Sequence, residues 1–177
     1  MKPGQKSASP FYLESSATLS PCWRYRYTLH RRWALGGGGV TFIGLNPSTA
    51  DARLDDPTIR RCVGFAKAWG FNAVDMINLF AFRATSPDDM LAQEDPEGPD
   101  NDEWILDTVA NAGLVVAAWG TSGHHRRRDR RVCELLDSVD LHVLRITRGG
   151  HPAHPLYLPG ALRPAPWRTA RPHGDTA

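Results

Sequence analysis

The chain is predicted to fold as a single three-layer α/β/α domain around a central, mainly parallel four-stranded sheet. Three observations predict it. Four apolar, β-branched runs (residues 40–45, 73–80, 114–120 and 141–146) end in polar or glycine-containing loops, as buried strands do. The segments between the first three runs carry helix starts and apolar residues at helical spacing, and alternation of this kind favours a parallel sheet covered on both faces. A length of 177 residues with 41% apolar composition supplies one substantial core. The expected organisation is a flexible N-terminal arm over 1–20, the α/β domain over 21–163, and an irregular tail over 164–177 containing Pro164, Pro166 and Pro172.

Taken in order, residues 22–33 alternate aromatics with arginines (Trp23-Arg24-Tyr25-Arg26-Tyr27), which fits either a half-buried strand near the sheet edge or a surface that stacks on bases. Gly36 to Gly39 form a turn and lack the Lys-Ser/Thr ending of a phosphate-binding loop. The first strand of the sheet, Val40 to Gly44, breaks at Leu45-Asn46-Pro47. Asp56-Pro57-Thr58 reads as a helix entrance, and Ile59, Cys62, Val63, Phe65, Ala66 and Trp69 follow at helical spacing until Gly70 stops them. Residues 73–80 make the second strand, with Asn78 near its end. A Pro/Asp/Glu-rich stretch over 83–102 leads to a helix over 101–111 and a third strand ending at Trp119-Gly120. The basic run His124 to Arg131 opens an amphipathic helix, and Leu141 to Ile146 gives the fourth strand.

Composition narrows the function classes. A formal charge of +2, from 21 basic and 19 acidic residues, does not by itself demand a nucleic-acid partner. Cys22, Cys62 and Cys133 are odd in number and widely spaced, which fits a reducing cytoplasm better than a disulfide scaffold. No apolar run has the length of a membrane span, so a soluble intracellular protein is expected. Neither a paired cysteine motif nor His-Glu-x-x-His is present, and no metal is assigned. The Gly-x-Ser-x-Gly elbow of acyl transfer is absent as well.

The predicted topology gathers polar residues from distant segments at one rim. Asn46 offers an amide that positions water or a polar ligand edge, or closes an ordinary Asn-Pro turn. Asn78 reads donor and acceptor atoms on a base, or caps the next segment. His154 is a candidate hydrogen-bond donor to developing negative charge, with His151 as the competing histidine of its loop. Phe82 and Tyr157 are candidates to stack on a ring. Gly44, Pro47, Ser48, Asp51, Trp119 and Pro155 are placed as supporting residues. Arg126, Arg127, Arg128, Arg130 and Arg131 either contact phosphates or form a solvated helix face.

The stretches FIGLNPSTADARLDDPTIRRC, WGFNAVDMINLFAFRAT, VVAAWG and HPAHPLYL resemble a bacterial family named only for a domain of unknown function, family 1643. Their ordered set is also similar to the uracil-DNA glycosylase superfamily. Gly44-Leu45-Asn46-Pro47 looks like its mismatch-specific first motif, Asn78 stands where its base-reading asparagine lies, and His154-Pro155 resembles its late loop. That resemblance implies a uracil-DNA glycosylase-like fold and a DNA-base glycosylase-like hydrolase of damaged or modified bases, acting without a cofactor on DNA or a nucleotide. Asn46 would place water and His154 would stabilise the leaving base. A nucleic-acid or nucleotide binding module without catalysis, or a hydrolase of small nucleosides or nucleotides, remains the alternative.

Overall fold

The computed structural model describes residues 11–167. The elements are β1 (Glu14–Leu19), β2 (Arg26–Arg32), β3 (Gly39–Gly44), α1 (Pro57–Ala68), β4 (Ala73–Asn78), α2 (Pro87–Leu91), α3 (Asn101–Ala110), β5 (Leu114–Ala117), α4 (Arg128–Leu135), β6 (Leu141–Val143) and β7 (Ala165–Pro166). They build one seven-stranded sheet in the order β1-β2-β4-β3-β5-β6-β7. This corrects the four-stranded, mainly parallel sheet expected from the sequence. The sheet is mixed: β4, β3, β5 and β6 run parallel, while β1–β2, β2–β4 and β6–β7 pair antiparallel.

The correction has a physical origin. A parallel sheet leaves unpaired N–H and C=O groups on its outer strands, and covering them is advantageous. Here a β1–β2 hairpin covers β4, pairing Leu29 with Met76, and the short β7 covers β6. The sequence signal for the outer strands was weak. Of β1, Glu14 to Ser16 are exposed and the rest only half-buried, so it carries no apolar run. Residues 14–19 are therefore a strand rather than part of a loose arm, and the sheet extends past 163 into Ala165–Pro166, an edge position that tolerates proline. Residues 1–10 of the expected arm and 168–177 of the expected tail lie outside the described residues.

Alternation along the central strands gives the sheet two apolar faces. On one, Val40, Phe42, Val74, Met76 and Val116 meet Ile59, Cys62, Val63, Phe65 and Ala66 of α1. On the other, Ile43, Ile77, Val115, Ala117 and Val143 meet Ile105 and Val109 of α3 and Val132 of α4. Each fully buried side chain of this size stabilises the fold by about 1.5–3 kcal/mol. α1 begins where the sequence places it. Asp56 Oδ1 accepts from the Ile59 N–H at 2.9 Å, Pro57 takes the first helical position, and Gly70 ends the helix in the left-handed region at φ +85°.

Candidate active site at the strand ends

The parallel strands end at the same rim, and the loops leaving β3, β4 and β5 surround a cavity of about 440 Å³ with the start of α1 and residues 154–157. Its size is that of a small-molecule pocket. Gly44, Asn46, Ser48, Asn78, His154, Pro155 and Tyr157 all line it, although they come from three separate stretches of chain.

Register fixes the first pair. Gly44 lies directly opposite Asn78 in the β3–β4 ladder. A Cβ at position 44 would stand 2.7 Å from Asn78 Oδ1, so the missing side chain is what lets the amide lie there. Asn78 is only 3% exposed, and its Nδ2 has no hydrogen-bond partner among the described residues. An orphaned buried donor is costly, and the donor here belongs to a residue that lines the cavity. Its backbone is held from behind: Asn101 Nδ2 donates to the carbonyls of Asn78 (3.0 Å) and Leu79 (3.1 Å), and Arg128 Nε donates to Leu79 O at 2.8 Å.

Asn46 is oriented by its own loop. Its Nδ2 donates to Ala84 O at 3.0 Å and Pro47 O at 3.1 Å, leaving the amide oxygen as the acceptor for water or ligand. Pro47 is buried and acts through that carbonyl, which also receives the Ala84 N–H at 2.9 Å. His154 Nδ1 accepts from the Leu156 N–H at 3.3 Å, so the neutral ring carries its proton on Nε2. Burial lowers the His154 pKa from its ordinary value, with Asp56 opposing, and the side chain is a neutral Nε2–H donor at neutral pH. His151 does not share the cavity; its ring lies 5.7 Å from that of His124. The histidine of the site is His154. Tyr157, 89% exposed, stands at the mouth.

Several of the expected site residues lie outside the cavity lining. Phe82 is not at the cavity: its ring meets Tyr25 edge-on at 6.0 Å, with the Arg24 guanidinium 5.6 Å above it, because residue 82 bridges residue 25 in a strand pairing the sequence did not reveal. The arginine run is not at the cavity either, and much of it is already engaged. Arg128 is 1% exposed and binds Leu79 O, Asp102 (2.5 Å) and Glu97 (3.4 Å). Arg126 donates to the carbonyls of Glu94 (2.8 Å) and Gln93 (3.0 Å), and Arg131 pairs with Glu97. A buried, fully paired guanidinium cannot also hold a phosphate. Asp51 serves the loop, not the cavity, since its Oδ1 accepts from Arg53 N at 2.7 Å and Leu54 N at 2.9 Å, and these bonds lower its pKa. Trp119 is 1% exposed and packs edge-on to Trp167 at 5.6 Å.

The profile of a family described as "Protein of unknown function (DUF1643)" matches residues 26–156, most of the chain. The chain belongs to that family. No curated protein and no solved structure matches it. The DUF1643 match begins at Arg26 and ends at Leu156, so it spans the cavity from its first lining residue almost to its last, Tyr157.

Two charged residues of this DUF1643 pocket were missed as site residues. Arg26 lines the cavity at 2% exposure; Nη1 donates to Ala50 O at 2.6 Å, while Nε has no partner among the described residues. Burial lowers its pKa to about 10, with Asp56 opposing, and it remains a cation at neutral pH. Asp56, 7% exposed, lines the same cavity while capping α1. The cap was legible in Asp56-Pro57, but nothing local shows that the capping residue also lines a pocket. Among the described residues, no three His, Cys, Asp or Glu side chains are grouped as metal ligands, and no helix is long and apolar enough to cross a membrane.

Proposed function

We propose that this protein is a DNA-base glycosylase-like hydrolase that takes a nucleobase into the strand-end cavity and cleaves its N-glycosidic bond. The observation that supports the reading is the convergence of Asn46, Asn78 and His154 on one cavity, each with the group the reaction needs unoccupied among the described residues. Asn46 Oδ1 accepts from a water and aims its lone pair at the anomeric carbon. As the C–O bond forms, the C–N bond breaks and its electron pair leaves with the base. The His154 Nε2–H and the Asn78 Nδ2 donate to the base where that charge collects. The water's surplus proton goes to solvent, and the base anion takes one up from solvent. The free cysteines are compatible with the reducing cytoplasm as its compartment.

The test is base release from a panel of modified DNA and nucleotides, followed by mass spectrometry, for the intact protein and for Asn46→Ala and His154→Ala. Release that falls at least about a hundredfold in both variants supports the mechanism. A folded protein that releases no base from any substrate overturns it. One observation favours a smaller substrate: Arg126, Arg128 and Arg131 are engaged within the fold, which weakens the case for a long polyanion lying along that helix. Faster release from free nucleosides or nucleotides than from DNA is the outcome expected on that second reading.

A further inference from the structure

Arg26 and Asp56 are opposite charges buried in the wall of one cavity, yet they do not pair with each other among the described residues. Burying separated charges is expensive, and a fold that retains them without pairing them leaves both to a third party. What each leaves open is defined. Arg26 spends only Nη1, on Ala50 O, so the edge formed by Nε and Nη2 makes no hydrogen bond within the described residues. That edge presents two parallel N–H groups, a fork that matches two adjacent acceptors lying in one plane. Asp56 spends only Oδ1, on the Ile59 N–H, and Oδ2 is an acceptor waiting for a donor. Asn78, which lines the same cavity, adds in Nδ2 a further donor without a partner among the described residues.

We propose, resting on the base-hydrolysis reading above, that the pocket selects a 6-oxopurine ring, with Arg26 reading the O6/N7 edge and Asp56 accepting an N–H from the N1/N2 edge. The opposed charges of wall and base edges then balance, which a phosphate or carboxylate placed against Arg26 beside Asp56 would not achieve. Arginine's bidentate contact to O6 and N7 is the commonest base-specific pairing of this fork. A 6-aminopurine fails because its exocyclic N–H₂ faces the guanidinium donor to donor. Cytosine also carries two adjacent acceptors, but O2 borders the ring nitrogen that bears the sugar, so turning that edge to a buried wall drives the sugar into it. In a 6-oxopurine, O6 lies at the far end of the ring from N9. The same contacts assist departure, since the charge left on the purine collects at the atoms Arg26 faces.

The experiment is calorimetric titration of the intact protein with guanosine, inosine, adenosine, cytidine and inorganic phosphate, repeated with Arg26→Lys and Asp56→Asn. Guanosine and inosine are expected to bind about tenfold or more tighter than adenosine and cytidine. Arg26→Lys keeps the charge but loses the fork, and should erase that preference. Asp56→Asn keeps the helix cap, so it folds even where the arginine variant does not, and should weaken guanosine binding by about tenfold. Equal or tighter binding of adenosine, cytidine or phosphate overturns the inference, as does a preference that survives in both folded variants or a failure of every nucleoside to bind. Oxopurine preference without base release supports this inference while sinking the hydrolysis reading. Release of pyrimidines alone does the reverse.

Discussion

Arg26 and Arg31 lie on the same strand, both buried, and the fold treats them in opposite ways. Arg31 is saturated. Its Nε meets Asp55 at 2.8 Å with side chains 0% and 1% exposed, Nη1 reaches His30 O at 2.9 Å and Ser16 O at 3.4 Å, and Nη2 donates to the carbonyls of Asp51 and Leu54. Tyr12 completes the network through its hydroxyl to Asp55 at 2.5 Å, and burial with that bond raises its pKa. Arg26 makes one such bond and faces a cavity. Both hold the loop that carries Asn46 and Asp56, Arg31 at its far end and Arg26 at Ala50. The difference teaches how to separate scaffold from candidate site among buried charges: a saturated cation is structure, and an open one lining a pocket is a candidate for recognition.

The sharpest way to break the comparison is Arg31→Met. It leaves Asp55 buried without its partner and should cost about 3–5 kcal/mol of stability by urea denaturation, whereas Arg26→Lys should cost far less and be felt in ligand binding. A smaller effect is expected within the arginine run. Arg128→Met removes the donor to Leu79 O and the partner of Asp102, and should cost about 1.5–3 kcal/mol, while Arg130→Ala on the exposed side should stay within about 0.5 kcal/mol in the same measurement. If Arg130→Ala instead abolishes binding of DNA without unfolding the chain, the run has the phosphate role its position argues against.

Gly44→Ala sharpens the site side of the contrast. The new methyl displaces the Asn78 amide, so ligand binding should fall by about tenfold for a stability loss of about 1 kcal/mol, read by calorimetry and thermal melting together. The smallest effect is the pH dependence, which separates the two halves of the molecule by sign. His30 donates from Nδ1 to Asp75 at 2.7 Å and lies 3.3 Å from Glu14, and the Asp75 bond raises its pKa. Its contribution is fully present below the ordinary 6.5 and is lost as pH rises through the raised value. His154 runs the other way. Its neutral form is favoured, so its contribution is fully present above 6.5 and is lost as pH falls through the lowered value. Removing each histidine in turn and following stability against pH should flatten opposite flanks of the profile; both flanks surviving in both variants would contradict the assignment.

Much of the site was legible in the sequence because strand ends are marked by abrupt changes of residue type. Gly44-Leu45-Asn46-Pro47, Asn78 and His154 stand out locally, and Gly44, Leu45, Asn46, Asn78 and His154 do line one cavity. Phe82 and the arginines did not follow, for a shared reason: an exposed-looking aromatic or basic run reports composition, while its partner comes from another strand or loop. Tyr25 for Phe82, and Glu97, Asp102 and Leu79 for Arg128, are far away in sequence. Arg26 was hidden by the same limit. Alternation over 22–33 fitted a strand near the sheet edge, but did not show that it would pair with β4 and bring Arg26 to the cavity wall.

The sequence by itself determined the four central strands, α1 with its Asp56 cap, and the polar residues at the strand ends, because period, caps and breakers are local properties of the chain. Only the tertiary structure decided that the sheet has seven strands, that His154 rather than His151 faces the cavity, and which buried arginine is saturated. These are matters of pairing between distant segments. A hydrogen-bond group is spent or free according to what another part of the chain brings to it, and no local pattern carries that information.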